Sequence, residues 1–191
     1  MISASGIKVK LTTYWKLGIG NLLRVAYYKF QLCSGQFQKR LPIGKPIFAP
    51  FFKGSRRSTF NTLVCPDDAS LLLQGQLRYF SHQQTPVSDP PDWFAHSETG
   101  VEFPHRGHWA TIGDFGHGDI KLIWEPSRFQ WLVLAAQGYV TTGGNDYLAL
   151  INRWLSDWSE KNPLNQGTNW KCAQETAIRL MNLLTAALIL G

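Results

Sequence analysis

Five potential metal ligands crowd one loop of this sequence: His105, His108, Asp114, His117 and Asp119. Their spacing matches no standard zinc pattern, and no helix or strand is expected there to fix ligand geometry, so no metal is assigned. Nucleophilic catalysis lacks a GxSxG turn, and Cys33, Cys65 and Cys172 stand far apart with no CxxC. Gly18-Ile19-Gly20 has none of the rest of a phosphate-binding fingerprint, so no cofactor is implied either. What remains is a polar and aromatic set at two helix starts. Asp119, Lys121, Trp124, Glu125 and Arg128 belong to one; Asn165, Asn169, Trp170, Glu175 and Arg179 belong to the other. Arg offers a bidentate fork for a carboxylate or sulfate. Trp offers a flat apolar face for a sugar ring, and Asn neutral donors and acceptors. None of these is a strong acid–base pair by itself.

The elements that must position this set are helical. Pro126 suits the first turn of a helix, with Phe129, Leu132, Val133, Ala136 and Tyr139 on one face. Trp131, Leu134 and Ala135 make its other faces apolar, which predicts burial nearly all round. Gly143-Gly144 stops it and Asn145 caps the next, striped by Tyr147, Leu148, Ile151, Leu155 and Trp158 and ended by Asn162-Pro163. A third helix is expected from about Asn169. Trp170, Ala173, Ala177, Leu180, Met181 and Leu184 would form its inner face, with Glu175 and Arg179 pairing at i,i+4. Short connections predict antiparallel hairpins, whose helix ends can converge on one rim.

Upstream, Leu11 to Trp15 predicts a helical turn ended by Gly18 and Gly20. Asn21 then caps a helix with Leu22, Val25, Ala26 and Phe30 on one face. Residues 35–58, rich in Gly, Pro and basic residues, read as an extended connector. A short helix is expected from Pro66 to Gly75. Residues 76–120 read as loops with strands near Leu77–Phe80 and Val101–Phe103.

The chain has 191 residues, 44% hydrophobic and 17% charged, with eight Trp, eleven Phe and six Tyr. That excludes a disordered chain and leaves ample material for a core. Its charge is lopsided. Residues 1–57 hold eleven Lys and Arg and no Asp or Glu, whereas residues 58–191 hold eight basic and thirteen acidic. The N-terminal excess has three possible sources: an anion-binding surface, a membrane-surface segment or a targeting peptide. Lys8, Lys10 and Lys16 interrupt the stretch where a secretory apolar region would sit. No stretch reaches the roughly 18 apolar residues of a spanning helix, so no membrane span is expected. No nucleic-acid-binding motif occurs, and the acidic balance of residues 58–191 argues against that partner. The expected organisation is a basic lead-in, 1–65, and a helical region, 66–191. The last helix reaches Gly191 still apolar, through Leu188, Ile189 and Leu190, which predicts an N-terminal piece of something larger or a truncated reading frame.

The run Asp119-Ile-Lys-Leu-Ile-Trp124-Glu125-Pro-Ser-Arg128-Phe129 resembles the heparinase II/III-like family in its N-terminal helical domain. Leu134-Ala-Ala-Gln-Gly-Tyr139, Thr142-Gly143 through Tyr147, Trp158 to Pro163, Gly167-Thr-Asn169-Trp170 and Glu175 with Ala177-Ile-Arg179 are similar to it in the same order. So are Pro91-Asp-Trp93, Thr99-Gly100 and Pro104 upstream, and Tyr14-Trp15 with Arg24 to Tyr28 near the start. The resemblance implies an α/α toroid followed by a β-sandwich-rich region, with acidic polysaccharide such as heparan sulfate or alginate bound between them and cleaved by β-elimination. The C5 proton of a uronate is too weakly acidic to leave while its carboxylate is charged. A neutraliser, a base and an acid are therefore needed. The resemblance gives Asn169 the neutraliser's role; on the chemistry of their side chains Trp124, Glu125, Arg128, Trp170 and Arg179 are expected to bind substrate. It puts the proton-transferring Tyr and His beyond residue 191, and makes a periplasmic location an alternative to a cytoplasmic one.

The expected fold class is thus mainly α, an incomplete α/α toroid of antiparallel helical hairpins with an irregular, basic N-terminal lead-in. The expected function is the N-terminal toroid portion of a polysaccharide lyase, inactive alone; the alternative is a non-catalytic acidic-glycan-binding module. Simpler roles stay open for single residues. Asn169 could cap a helix, Arg128 and Glu125 could pair structurally, Trp124 and Trp170 could pack in the core, and Arg179 could pair with Glu175.

Overall fold

The computed structural model describes residues 12–48, 50–53, 66–95, 99–113 and 118–191. The chain is mainly helical and divides into two compact units, Met1–Pro42 and Ile43–Gly191. The boundary expected at residue 65 therefore moves to Pro42. The extended residues after it belong to the larger unit, to which they are laced by hydrogen bonds. The Gly44 N–H donates to Leu164 O (2.8 Å), the Ile47 N–H to Ser159 Oγ (2.9 Å) and the Phe52 N–H to Asn152 Oδ1 (2.9 Å).

In the smaller unit, residues 12–17 are helical, and Gly18 (φ 76°) breaks the path before α1, Ile19–Cys33. Asn21 is not the cap expected of it. It lies inside α1, its Nδ2 donating to Leu17 O at 2.9 Å. A short α2, Gln36–Arg40, interrupts the expected connector.

Among the described residues, the first regular elements of the larger unit are α3, Pro66–Leu73, and a hairpin of β1, Gln76–Tyr79, and β2, Gln83–Pro86. The two strands are antiparallel, with Leu77 opposite Thr85. The second strand was expected at 101–103. Glu102 there makes only an isolated bridge to Ala95.

Pro126 does not open the first long helix. It lies in a separate short α4, Lys121–Ser127, because Phe129 takes the left-handed conformation (φ 65°) and splits the path before α5, Gln130–Thr142. Only the ends of α5 are exposed, as its all-round apolar sequence requires. Gly143 closes α5 with its N–H on Tyr139 O (2.8 Å), and α6 runs Asn145–Lys161. Gly144, not Asn145, is the cap; its N–H donates to Thr142 Oγ1. A two-residue joint between packed helices sets α5 and α6 antiparallel. After a 3-10 turn, Thr168–Trp170, α7 runs Ala173–Leu190 and packs most extensively on α5. Close approach of α5 to α6 and α3 depends on Gly138, where a Cβ would meet the Tyr147 ring at 2.7 Å and the Ala69 Cβ at 3.0 Å.

The core is aromatic. Trp93, Trp131 and Trp154 form one cluster, the Trp131 and Trp154 rings edge-on at 5.0 Å. Phe129 joins it to Trp158, and Trp158 to Trp170. Buried indoles need a partner for Nε1–H, and these find it inside the unit. Trp93 donates to Asp157, Trp131 to Pro126 O, Trp154 to Asp89, Trp158 to Ser127 and Trp170 to Asn162 O.

The face expected to point inward on α7 is turned outward. Leu180, Met181 and Leu184 are more than half exposed, while Glu175, Arg179, Ala186, Ile189 and Leu190 are buried. Helical periodicity located the helix, but the inward stripe begins with two charged residues. No helix among the described residues is long and apolar enough to cross a membrane.

Candidate functional site

The residues from the two helix starts do converge. Arg128 ends α4 and reaches Glu175 in the first turn of α7 with a bidentate fork, Nε to Oε2 at 2.7 Å and Nη2 to Oε1 at 2.8 Å. Its Nη1 donates to Glu125 Oε1, whose other oxygen accepts the Phe80 N–H at 3.0 Å. Both carboxylates are buried, and the Arg128 side chain is 20% exposed. Its hydrogen bonds to Glu175 raise the Arg128 pKa above the ordinary guanidinium value, against the opposing effect of burial. One cation thus ties the end of α4 and the start of α7 together. Asn182 adds a tie from α7, its Nδ2 donating to Arg128 O at 2.7 Å.

A second polar group lies beside it. Asn169 is wholly buried; its Nδ2 donates to Trp93 O (3.1 Å) and Asn162 Oδ1 (2.9 Å). Asn162 in turn donates to Trp158 O at 3.0 Å. Arg179 donates through Nη2 to Asn169 O (2.7 Å) and Thr176 Oγ1 (3.0 Å). Its guanidinium carbon stands 5.3 Å from the Trp158 ring centre and 5.2 Å from that of Trp170, a cation between two π faces. Burial pushes the Arg179 pKa down to about 10, with the Glu175 charge opposing, so the group stays protonated at neutral pH. Asn169 Oδ1 and Arg179 Nη1 are buried with no hydrogen-bond partner.

Three expectations change here. The Asn169 amide, which a neutraliser would have to turn toward the substrate carboxylate, is enclosed and engaged. It is not a helix N-cap either, since Gly167 precedes the 3-10 turn and no side chain caps it. Glu175 pairs with Arg128, not with Arg179 as expected, because Arg179 turns its fork back to the Asn169 carbonyl. Trp124 and Trp170 are half-buried, with their N–H groups on Thr168 O (3.2 Å) and Asn162 O (3.1 Å). Asp119 accepts the Lys121 N–H, and the Asn165 carbonyl accepts the Trp109 N–H at 3.1 Å; neither reaches the two arginines.

Asn162, Asn182, Trp93 and Trp158 are members of the cluster that the sequence did not place among the site candidates. Asn162 had a signal, but it read as a helix stop. In the histidine loop, His108 Nδ1 accepts the Ala110 N–H at 3.1 Å and His105 stacks on Phe94 at 4.8 Å. Asp114 and His117 lie outside the described residues, as does Cys65.

Two surface hollows flank the cluster. One, of about 400 Å³, is lined among others by Leu71, Leu77, Arg78, Gln84, Trp131 and Asn182. The other, of about 490 Å³, includes Asp92, Phe94, Glu102, His105, Arg106 and Lys161. Trp124, Glu125, Arg128, Asn169, Trp170 and Arg179 line neither. Chemically the cluster is a brace: apart from Asn169 Oδ1 and Arg179 Nη1, its buried donors and acceptors engage protein groups rather than an open rim. No family model, curated protein or solved structure matches the chain.

Proposed function

We propose that the chain is part of the α/α toroid of a heparinase II/III-like polysaccharide lyase, acting on uronic-acid-containing polysaccharide by β-elimination. The supporting observation is the convergence of the residues that carry the resemblance. Trp124, Glu125, Arg128, Asn169, Trp170, Glu175 and Arg179 are scattered over fifty-odd positions, yet they brace the starts and ends of consecutive helices. A ring of helical hairpins needs each hairpin held at a set angle to the next, and a hydrogen-bonded ionic brace does that more sharply than apolar packing. In this reading the seven residues shape the toroid. Asn169 is not the neutraliser, because its amide nitrogen already donates twice inside the unit. The neutraliser, base and acid belong to other parts of the lyase, including the β-rich region the resemblance implies. A stand-alone module for acidic glycans is the weaker reading. In the hollow beside His105, the carboxylates of Asp92, Glu102 and Glu160 offset Arg106 and Lys161.

The test is turnover. Protein from the complete reading frame is incubated with alginate and heparan sulfate, and unsaturated uronate is followed by its ultraviolet absorbance. Product release supports the reading. A folded protein that cleaves neither removes it. Residues 1–191 alone are expected to release no product.

A further inference from the structure

We propose that the N-terminal unit is a peripheral membrane-binding element that lies on an anionic lipid surface. Ile19, Leu23, Ala26 and Phe30 follow one another along a single face of α1, and all are exposed, Ile19 at 76% and Leu23 at 65%. α2 packs elsewhere: the Phe37 ring stands 5.7 Å from that of Tyr28, about half a turn away from the stripe. No residue of α1 is buried. At the N-terminal end of the stripe, Trp15 is 87% exposed, and with Tyr14, Ile19 and Leu22 it borders an apolar hollow of about 470 Å³ at the Gly18 break. Tyr and Trp, with apolar bodies and polar edges, suit the boundary between headgroups and acyl chains.

The charges point to the same occupant. Lys16, Arg24, Lys29, Lys39 and Arg40 accompany the stripe, with no Asp or Glu anywhere in residues 1–57. On the helical wheel Lys29 borders the stripe, its stem able to lie beside the apolar face while its charge reaches headgroup phosphates, whereas Arg24, one turn before Tyr28, lies toward the opposite face and attracts the anionic surface at longer range. A protein groove could take the stripe and a soluble polyanion the cations; an anionic leaflet takes both together. A 15-residue helix is about 22 Å long, so α1 lies in the interface and does not cross it.

The experiment is co-sedimentation of the full chain with vesicles. Phosphatidylcholine containing roughly one-third phosphatidylglycerol is expected to bind about 100-fold more tightly than pure phosphatidylcholine, as three surface-engaged cations supply, and less so at high salt. The Ile19→Glu/Leu23→Glu pair is expected to lose on the order of 100-fold while circular dichroism is unchanged, because neither side chain is buried. The matched pair Leu180→Glu/Leu184→Glu, on the exposed face of α7, is expected to bind as the parent does. The proposal is overturned by equal binding to both vesicle types or by no binding at all. Equal loss in the α7 pair overturns it by showing general stickiness. Binding that survives the α1 pair but is lost in Arg24→Glu/Lys29→Glu overturns it in favour of a soluble-polyanion site.

Discussion

Ile19, Leu23, Ala26 and Phe30 recur along α1 at the same intervals as Tyr147, Ile151, Trp154 and Trp158 along α6. The α6 stripe is buried, none of its four residues more than 7% exposed, whereas Phe30 in α1 is 59% exposed. α7 carries the same intervals twice. Glu175, Arg179, Asn182 and Ala186 face inward, and Ala177, Met181, Leu184 and Leu188 face out. An apolar stripe therefore marks a helix without saying that the stripe has a partner. In the larger unit, α5 and the tryptophan cluster supply that partner to α6. In the smaller unit, α2 is only five residues long; its Phe37 ring meets Tyr28, and no residue of α1 is buried.

The sharpest test of that contrast compares matched positions. Trp158→Ala should cost about 3–5 kcal/mol, since it empties a site between Phe129, Trp170 and Arg179 and orphans Ser127. Urea denaturation of the larger unit measures it. A loss below about 1 kcal/mol would mean that this core is loosely packed.

Arg128→Met should cost about 3 kcal/mol, the low end for breaking a buried ion pair because the guanidinium keeps some contact with water. Two buried carboxylates would be left without their cation. Arg128→Lys should recover only part, as an ammonium cannot reproduce the fork to Glu175. Equal stability in Arg128→Met and the parent would show that α4 and α7 are held by apolar contacts instead.

Gly138→Ala comes next, at about 1–3 kcal/mol, because the new methyl overlaps the buried Tyr147 ring by more than the improved helix propensity can offset. Thermal melting distinguishes this from a gain, which would show that α5 and α6 can move apart.

The pH dependence of the larger unit carries a smaller signature. Burial would raise the pKa of Asp89, but hydrogen bonds from Trp154 and Arg153 hold it below the ordinary Asp value. Folding therefore favours the ionised form. That stability is present above the unfolded pKa of about 4 and is lost as pH falls through the lower folded value. Asp89→Asn should flatten the acid limb of the denaturation profile; an unchanged limb would assign it to other carboxylates.

Phe30→Ala should change stability by less than about 0.5 kcal/mol, the smallest effect of the series. A loss comparable to that of Trp158→Ala would erase the distinction between the two helices.

Much of this was legible in residue order. Gly143-Gly144, Asn162-Pro163 and Gly75 stop helices where they were expected to, and Pro66-Asp67-Asp68 starts one. The split between α4 and α5 was not legible, because nothing in Phe129 announces a left-handed backbone; in the fold Asn182 bonds the Arg128 carbonyl beside that turn and the Phe129 ring packs on Trp131. The candidate site was half legible. Its members were named, but their use was reversed from an open rim to a closed brace.

The reason lies in what each level of structure depends on. Helix period, breakers and charge distribution are properties of the local chain, and they determined a helical protein with a cationic, acid-free start. Which stripe is inside depends on whether another surface comes within a few ångströms of it. Glu175 and Arg179 are buried because Arg128, Trp158 and Trp170 arrive from elsewhere to receive them, while Leu180 and Leu184 on the same helix stay more than half exposed. For Asn169 the deciding contacts are Trp93, 76 residues away, and Asn162, and only the folded chain brings them to its amide.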